Sequence, residues 1–413
     1  MSAVRLSACV VLLMVLTGCA QRGGAIILPK GVPVIRVRIM QDCKQIKLAA
    51  NETVWVKSGA DMTPHPVTFP PAPGSLVKLV AGAWDAGGRP LGTGELVITP
   101  GRVGSASVNG NSYRGRYRLI PTSADSFDVV NDVDVDSYLK SVIPVELYTS
   151  WEEETYKAQA IAARTYAIYE SKTAGIKRDW DVFSDERSQM YGGIGKETSK
   201  SVRAVDTTAG LVAAWGQPGQ ERIFKAYFSS CCGGKTQSAY DAFGDDYIPP
   251  LAEHDRGTTC SISPKFKWAP VSIQKEELSR RMAAWAQRRS EAMGSPRPEL
   301  KIQGIARIDQ AFLNKLDRPV FFYVTDTKGT RFMMRAEDLR SAIAFDAPAG
   351  QTVYSGFFKT VNEADAIRFV EGRGYGHGVG LCQWCAQSLA RSGWRHEDIV
   401  TSAFPGAKII RAY

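Results

Sequence analysis

VIPVELYTSWEEETYKAQAIAARTYAIYE, residues 142–170, holds the clearest change of period in the chain. It sets one carboxylate, Glu146, between Val145 and Leu147, just past Pro144. Most charged side chains are solvated, so a glutamate in apolar company asks for a reason. Beyond it, Ser150 with Glu153 fits a capping box. Glu152, Glu153 and Glu154 crowd the first helical turn, where the helix dipole favours negative charge. Tyr156, Ala160, Ala163 and Ala167 then recur at helical spacing and predict one buried stripe of mostly small residues, against which a second backbone can come close. Glu146 is thus expected on a strand-to-helix connection with a rigid helix behind it. A carboxyl flanked by apolar side chains has a raised pKa, the property that a general acid needs.

Working outward, the upstream chain reads as short alternating runs: VIRVRI, QIKLAA, SLVKLVAGAW, ELVITP, RYRLIP and SFDVVN. Turn residues separate them, as in DAGGRPLG and NGNSYRG, so this region is mostly β to about residue 135. Downstream of the helix, DVFSDERSQMYGG is a polar loop. RIFKAYFSSCCGGKT reads as a strand, with Phe224, Ala226 and Phe228 on one face, running into a glycine turn. Residues 270–290 have the pattern of an amphipathic helix, GSPRPEL is a linker, and residues 300–370 return to strands with a hairpin at TDTKGT. The expected fold is α+β. The expected units are 1–19 (leader), 20–33 (tether), 34–135 (β-rich), 136–269 (core with the central helix), 270–370 (an inserted α+β part) and 371–413 (a glycine-rich return to the core).

The leader MSAVRLSACVVLLMVLTGCAQ has one arginine, an apolar stretch too short to span a bilayer, and then Leu16-Thr17-Gly18-Cys19. It reads as a bacterial lipoprotein signal, with Cys19 lipidated and the mature chain held at the envelope, periplasmic or outer surface, by that lipid alone. The chain has 51 Lys and Arg against 42 Asp and Glu, a formal charge of +9, which suits polyanionic surroundings such as an acidic cell wall. No dense basic run accompanies that charge, so nucleic acid is not an expected partner. Export exposes cysteines to oxidation. Apart from Cys9 and Cys19, these are Cys43, Cys231, Cys232, Cys260, Cys382 and Cys385. Disulfides are the expected use and no cofactor is required. A zinc site drawn from Cys231, Cys232, Cys260, Cys382 and Cys385, with His254 as a spare ligand, is the alternative.

Several chemistries are excluded. Gly234-Lys235-Thr236 ends like a P-loop, but Ser229 stands where that motif needs its first glycine. The four histidines form no zinc-hydrolase pattern, and no G-x-S-x-G elbow is present. EGRGYGHGVG, with glycine at alternate positions from Gly372 to Gly380, suits a segment that another backbone or an extended substrate approaches closely.

Three stretches together resemble the SpoIID/LytB family, the stage II sporulation protein D and amidase-enhancer group of bacterial cell-wall proteins. They are NSYRGRYRLIP running on through the opening stretch, AYFSSCCGGKTQ, and GRGYGHGVGLCQWCAQ, in the family's order over roughly residues 105–390. The resemblance implies a lytic transglycosylase acting on peptidoglycan strands that lack stem peptides, with Glu146 as its acid and base. It implies peptidoglycan glycan strands as the substrate and a cell-wall amidase as a partner. A non-catalytic amidase enhancer or glycan-binding scaffold is the alternative. Gln159, Arg164, Ser229, Ser230, His377 and Gln383 are the candidates for lining the substrate groove. The chain also departs from the family. The loop DVFSDERSQMYGG lacks the His and Cys of a zinc site found in some members, and Cys382 and Cys385 stand where relatives commonly carry Ser and Gly. These cysteines form either a disulfide beside the groove or a new metal site.

Overall fold

The computed structural model describes residues 31–59, 61–101 and 106–413. The leader, Cys19 and most of the tether lie outside them. Eight α-helices and 24 strands among the described residues make an α+β fold. The amino-terminal strands form two antiparallel layers. One sheet runs, edge to edge, Val182–Phe183, Val34–Cys43, Phe127–Asp134, Arg116–Pro121, Leu96–Thr99, Val54–Ser58 and Asp61–Val67, with only the first pair parallel. The facing sheet runs Asn111–Tyr113, Ala106–Val108, Gln45–Ala50, Ser75–Val80, Ala83–Ala86 and Arg89–Thr93. Alternating side chains fill the space between them, with Ile46, Leu48, Val77 and Leu79 meeting Val56, Ile98, Leu119 and Val129. Trp84 stands edge-on to Phe127 at 4.9 Å and donates its indole N–H to Gly94 O at 2.6 Å. Phe127–Asp134 is buried along almost its whole length because it belongs to two cores. Phe127 and Val129 serve the sandwich, whereas Val133, with Ile35 and Val37, packs on helices.

Those helices are α1 (Val135–Glu146), α2 (Glu153–Lys172) and α3 (Ser199–Thr207). Asp134 caps α1 by accepting from Ser137 N–H at 2.8 Å. Glu146 therefore ends a helix that the sequence reading missed, and the expected strand-to-helix connection is corrected accordingly. Pro144 misled that reading, because proline inside a helix leaves the carbonyl four residues back without its donor. Here that carbonyl, Lys140 O, accepts from Ser201 Oγ of α3 at 2.9 Å. Ser201 also completes the capping box of α3 with Thr198. Ser201→Ala removes both contacts, and a loss of about 1–3 kcal/mol is expected, read as a lower midpoint in denaturant at unchanged m-value.

Helix α2 differs from its expected form in two ways. Ser150 and Glu153 make no capping box. The N-cap is Glu152, whose side chain makes no cap hydrogen bond, and its backbone N–H is held at 3.0 Å by Gln387 Oε1. Nor is there a single buried stripe. Tyr156, Ala160, Ala163 and Ala167 face the core shared with α1, and Ala158, Ile161 and Ala162 face a second core on the other side. A helix clamped between two cores needs small side chains around most of its circumference, which explains its alanine content.

The second core is completed by strands Leu211–Trp215 and Lys408–Arg411 and by three further helices: α4 (Ala239–Phe243), α7 (Gln383–Arg391) and α8 (His396–Ala403). Between α4 and α7 lies a part with its own core. It is built on α5 (Lys275–Met293), α6 (Ala336–Ala344) and two three-stranded sheets, one of which contains the expected hairpin, Pro319–Asp326 with Arg331–Arg335. The expected strand through Phe224, Ala226 and Phe228 is broken into Arg222–Ile223 and Phe228–Ser229. No helix among the described residues is long and apolar enough to cross a membrane.

Candidate functional site

Glu146 is presented at the carboxyl end of α1, where the chain leaves in extended conformation at Leu147. Two N–H groups from distant segments reach its half-buried side chain. Met190 N–H donates to Oε1 at 3.1 Å, and Gln383 Nε2 donates to Oε2 at 3.3 Å. Burial pushes the carboxyl pKa up, and these two hydrogen bonds offset the rise only in part. The negative end of the α1 dipole acts in the same direction as burial. An acidic residue at a helix carboxyl end breaks the rule for stability and favours the protonated acid.

Each partner of Glu146 is itself held. Gln189 is buried, accepts from Tyr138 OH at 2.9 Å and donates to Ala163 O at 3.3 Å. Tyr191 OH donates to Asn131 at 2.8 Å, and its ring lies 5.0 Å from Tyr138 and 5.2 Å from Tyr113. Met190 N–H, between these anchors, is aimed by both. Gln383 opens α7, which is tied to the start of α2 through Gln387, the acceptor for Glu152 N–H and Thr155 Oγ. Close in sequence to Glu146 and Gln383 runs an aromatic ridge. Trp384 packs edge-on to Trp151 at 4.8 Å and near Tyr148 at 5.8 Å, and Tyr148 is 60% exposed. Lys200 Nζ fixes the intervening turn by donating to Thr149 O and Trp151 O at 2.7 Å each.

The residues proposed from sequence divide into three groups. Gln383 meets Glu146 directly. Ser229 and Ser230 pack against the segment that carries Gln383, and His377 lies at the start of that segment. Ser229 pairs with Cys382 in a short parallel bridge, and its Oγ accepts from Gly378 N–H at 3.1 Å. Ser230 O accepts from Trp384 N–H at 3.1 Å. His377 packs edge-on against the stacked rings of Tyr227 and Phe243, and its Nδ1 accepts from Val379 N–H at 3.0 Å, which puts the ring proton on Nε2. Burial pushes its pKa down to about 4, so the ring is neutral near pH 7. Gln159 and Arg164 are corrected: both are fully buried and cannot line a groove. Arg164 donates to Asp136 at 2.8 and 3.0 Å and to the carbonyls of Val205 and Leu211. Helix α2, buried on both sides, turns these polar residues inward.

The alternating glycines serve close packing of backbone and side chains. Gly378, at φ +72°, would drive a Cβ into the Arg318 guanidinium, and Gly374, at φ +79°, would drive one towards Cys231 O. No disulfide is present among the described residues. Instead, Cys231, Cys232, Cys260, Cys382 and Cys385 gather in one buried cluster, and Cys43 stands apart. His254 lies outside that group of sulfurs and bonds Thr236.

The family model for stage II sporulation protein matches residues 123–215, the segment carrying α1, Glu146, α2 and α3. That match and the relatives it goes with support membership of the SpoIID/LytB family. The chain is 28% identical over 304 residues to an uncharacterized protein of Brachyspira hyodysenteriae, covering 74% of each chain. It is 26% identical to the amidase enhancer of Bacillus subtilis, over 66% of this chain but 40% of that one. It is 24% identical to stage II sporulation protein D of the same organism, over 71% of this chain and 79% of the relative. Gln383 lies far outside the matched segment, and the fold brings it to Glu146. The sequence reading missed Met190, Gln189, Tyr148 and Trp151. Tyr148 and Trp151 were in view in the opening stretch, and a polar loop that spends Gln, Met and Tyr before two glycines was the signal for the other two.

Proposed function

We propose that this chain acts on peptidoglycan as a lytic transglycosylase, with Glu146 as the single acid and base. The observation that carries the reading is a half-buried carboxyl with a raised pKa, aimed by two N–H donors from distant segments and close in sequence to the exposed ring of Tyr148. Protonated Glu146 donates to the glycosidic oxygen as the bond to the muramic acid anomeric carbon breaks. The carboxylate then takes the proton of the C6 hydroxyl, whose oxygen closes on that carbon and leaves an anhydro end. One carboxyl suffices because the nucleophile is within the sugar, whereas water-using glycosidases need two. Met190 N–H and Gln383 stabilise the carboxylate formed in the first half and hold its orientation for the second.

Tyr148 and Trp384 offer flat apolar faces on which sugar rings stack. Tyr148→Ala is expected to weaken glycan binding about tenfold, since an aromatic contact of this kind contributes about 1–1.5 kcal/mol, with thermal stability unchanged for so exposed a ring. Isothermal titration with glycan oligomers reads the effect. A lipid on Cys19 would place the chain at the envelope, and the amidase enhancer among its relatives makes a cell-wall amidase the proposed partner. Incubation of residues 20–413 with peptide-free and peptide-bearing glycan strands tests the reading, with fragments expected from the peptide-free strands. Strands that are bound but stay intact would make the chain a non-catalytic enhancer or scaffold.

A further inference from the structure

We infer that Cys232, Cys260, Cys382 and Cys385 bind one zinc ion, which locks the start of α7 to the turn at Cys231–Cys232 and to the loop carrying Cys260. All four sulfurs lie within 4.8 Å of one another, and all four residues are buried. Cys232 Sγ is 3.6 Å from Cys260 Sγ and 3.9 Å from Cys385 Sγ. Thiolates bound at about 2.3 Å around a tetrahedral zinc stand roughly 3.8 Å apart, whereas disulfide sulfurs stand about 2.05 Å apart. Four converging sulfurs match the first spacing and have no pairwise reason to meet.

Two further features belong to a metal-thiolate centre. The first is backbone N–H groups aimed at sulfur: Cys232 N–H and Cys385 N–H reach Cys382 Sγ at 3.3 and 3.4 Å. Cys382 is also the N-cap of α7, where the helix dipole favours a thiolate. The second is compensating charge. Four thiols that release their protons to solvent as zinc binds leave a centre of net charge −2. The buried Arg318 lies alongside, donating to Cys232 O at 3.0 Å, Lys235 O at 2.8 Å and His377 O at 2.9 Å. Its hydrogen bonds go to carbonyl oxygens, while the nearby Glu337 is bonded to Arg340. A buried guanidinium without a bonded carboxylate is costly, and an anionic zinc-thiolate centre offsets that cost.

Cys231, in the same cluster, is left outside the ligand set. The ion has an architectural role, since all its ligand positions are filled by protein. Its ligands flank Gln383, so it also orients the side chain that reaches Glu146 (a consequence that rests on the function proposed above).

Elemental analysis and non-denaturing mass spectrometry of the full chain, purified without chelator, test the site independently of any glycan activity. Near one zinc per chain is expected, with the cluster cysteines open to alkylation only after unfolding in chelator. Cys260→Ser is expected to abolish stoichiometric zinc, and Cys231→Ser to retain it. If Cys260→Ser fails to fold, cobalt substitution of the wild-type chain decides, with an intense thiolate-to-cobalt charge-transfer band and a tetrahedral spectrum expected. Disulfides mapped among these cysteines in chain taken from the envelope would overturn the inference. So would a reduced chain that takes up no zinc, a cobalt spectrum without that band, or zinc lost on removing Cys231 but kept on removing Cys260.

Discussion

If the proposed function holds, Glu146→Gln is expected to lower kcat and kcat/KM for glycan cleavage together by about 10²–10⁴-fold with glycan affinity preserved, because a positioned acid and base contributes on that scale. The same substitution stabilises the fold at neutral pH. The folded-state pKa of Glu146 is raised, so ionisation is disfavoured in the folded chain relative to the unfolded one. The favourable contribution of the protonated group is complete below its unfolded pKa and is lost as pH rises through the folded value. Glutamine does not titrate, so the variant unfolds later than wild type at neutral pH, and the gap closes below about pH 4.3. Wild-type cleavage is likewise expected to fall as pH rises through the folded-state pKa, because the first half of the proposed reaction consumes the acid form. Thermal melts and pH–rate profiles of the pair check both limbs. A variant that loses activity while melting earlier at neutral pH would show that Glu146 is a structural anion.

Arg164→Ala is expected to lower stability by about 3–5 kcal/mol, because removing one partner of a buried ion pair strands the other. The guanidinium joins Asp136 of α1, the end of α3 at Val205 and the strand at Leu211, and Tyr413 OH donates to both oxygens of the same aspartate at 3.0 Å. One residue thus ties four segments and the carboxyl-terminal tyrosine together. Against a typical domain stability of roughly 5–15 kcal/mol the expected loss is large, and denaturant unfolding reads it directly. Arg164→Lys restores only part of it, since an ammonium cannot fork to the carboxylate and two carbonyls. If Arg164→Ala instead leaves the unfolding midpoint in place and weakens glycan binding, the residue faces substrate after all.

The sequence made the broad architecture legible, since alternation of period two and the switch at residue 142 follow from side-chain geometry alone. What it hid was the use of side chains from far along the chain. Pro144 signals a break in any local reading, and the α1 helix runs through it because Ser201, from another helix, supplies the missing donor. Ser150 and Glu153 have the spacing of a capping box, but Gln387 holds the start of α2 from α7. The periodic alanines showed one buried face, while the polar Gln159 and Arg164 on α2 suggested an open one, and a second core covers that face. Glu146 itself was visible from its apolar neighbours. Its donors were not, because Met190 N–H is a backbone group in an irregular loop and Gln383 is 237 residues away. The cysteines were counted correctly but their geometry was not accessible, since spacing along the chain cannot separate converging sulfurs from paired ones.

In the proposed reaction Glu146 acts as both acid and base in a cleavage that needs no water. Mass spectrometry of strand ends tests it most directly, with peptide-free glycan incubated beside wild-type residues 20–413 and the Glu146→Gln variant. Anhydromuramic ends are expected from the wild type, and intact strands, still bound, from the variant. Reducing ends from the wild type, or anhydro ends at an undiminished rate from the variant, would contradict it.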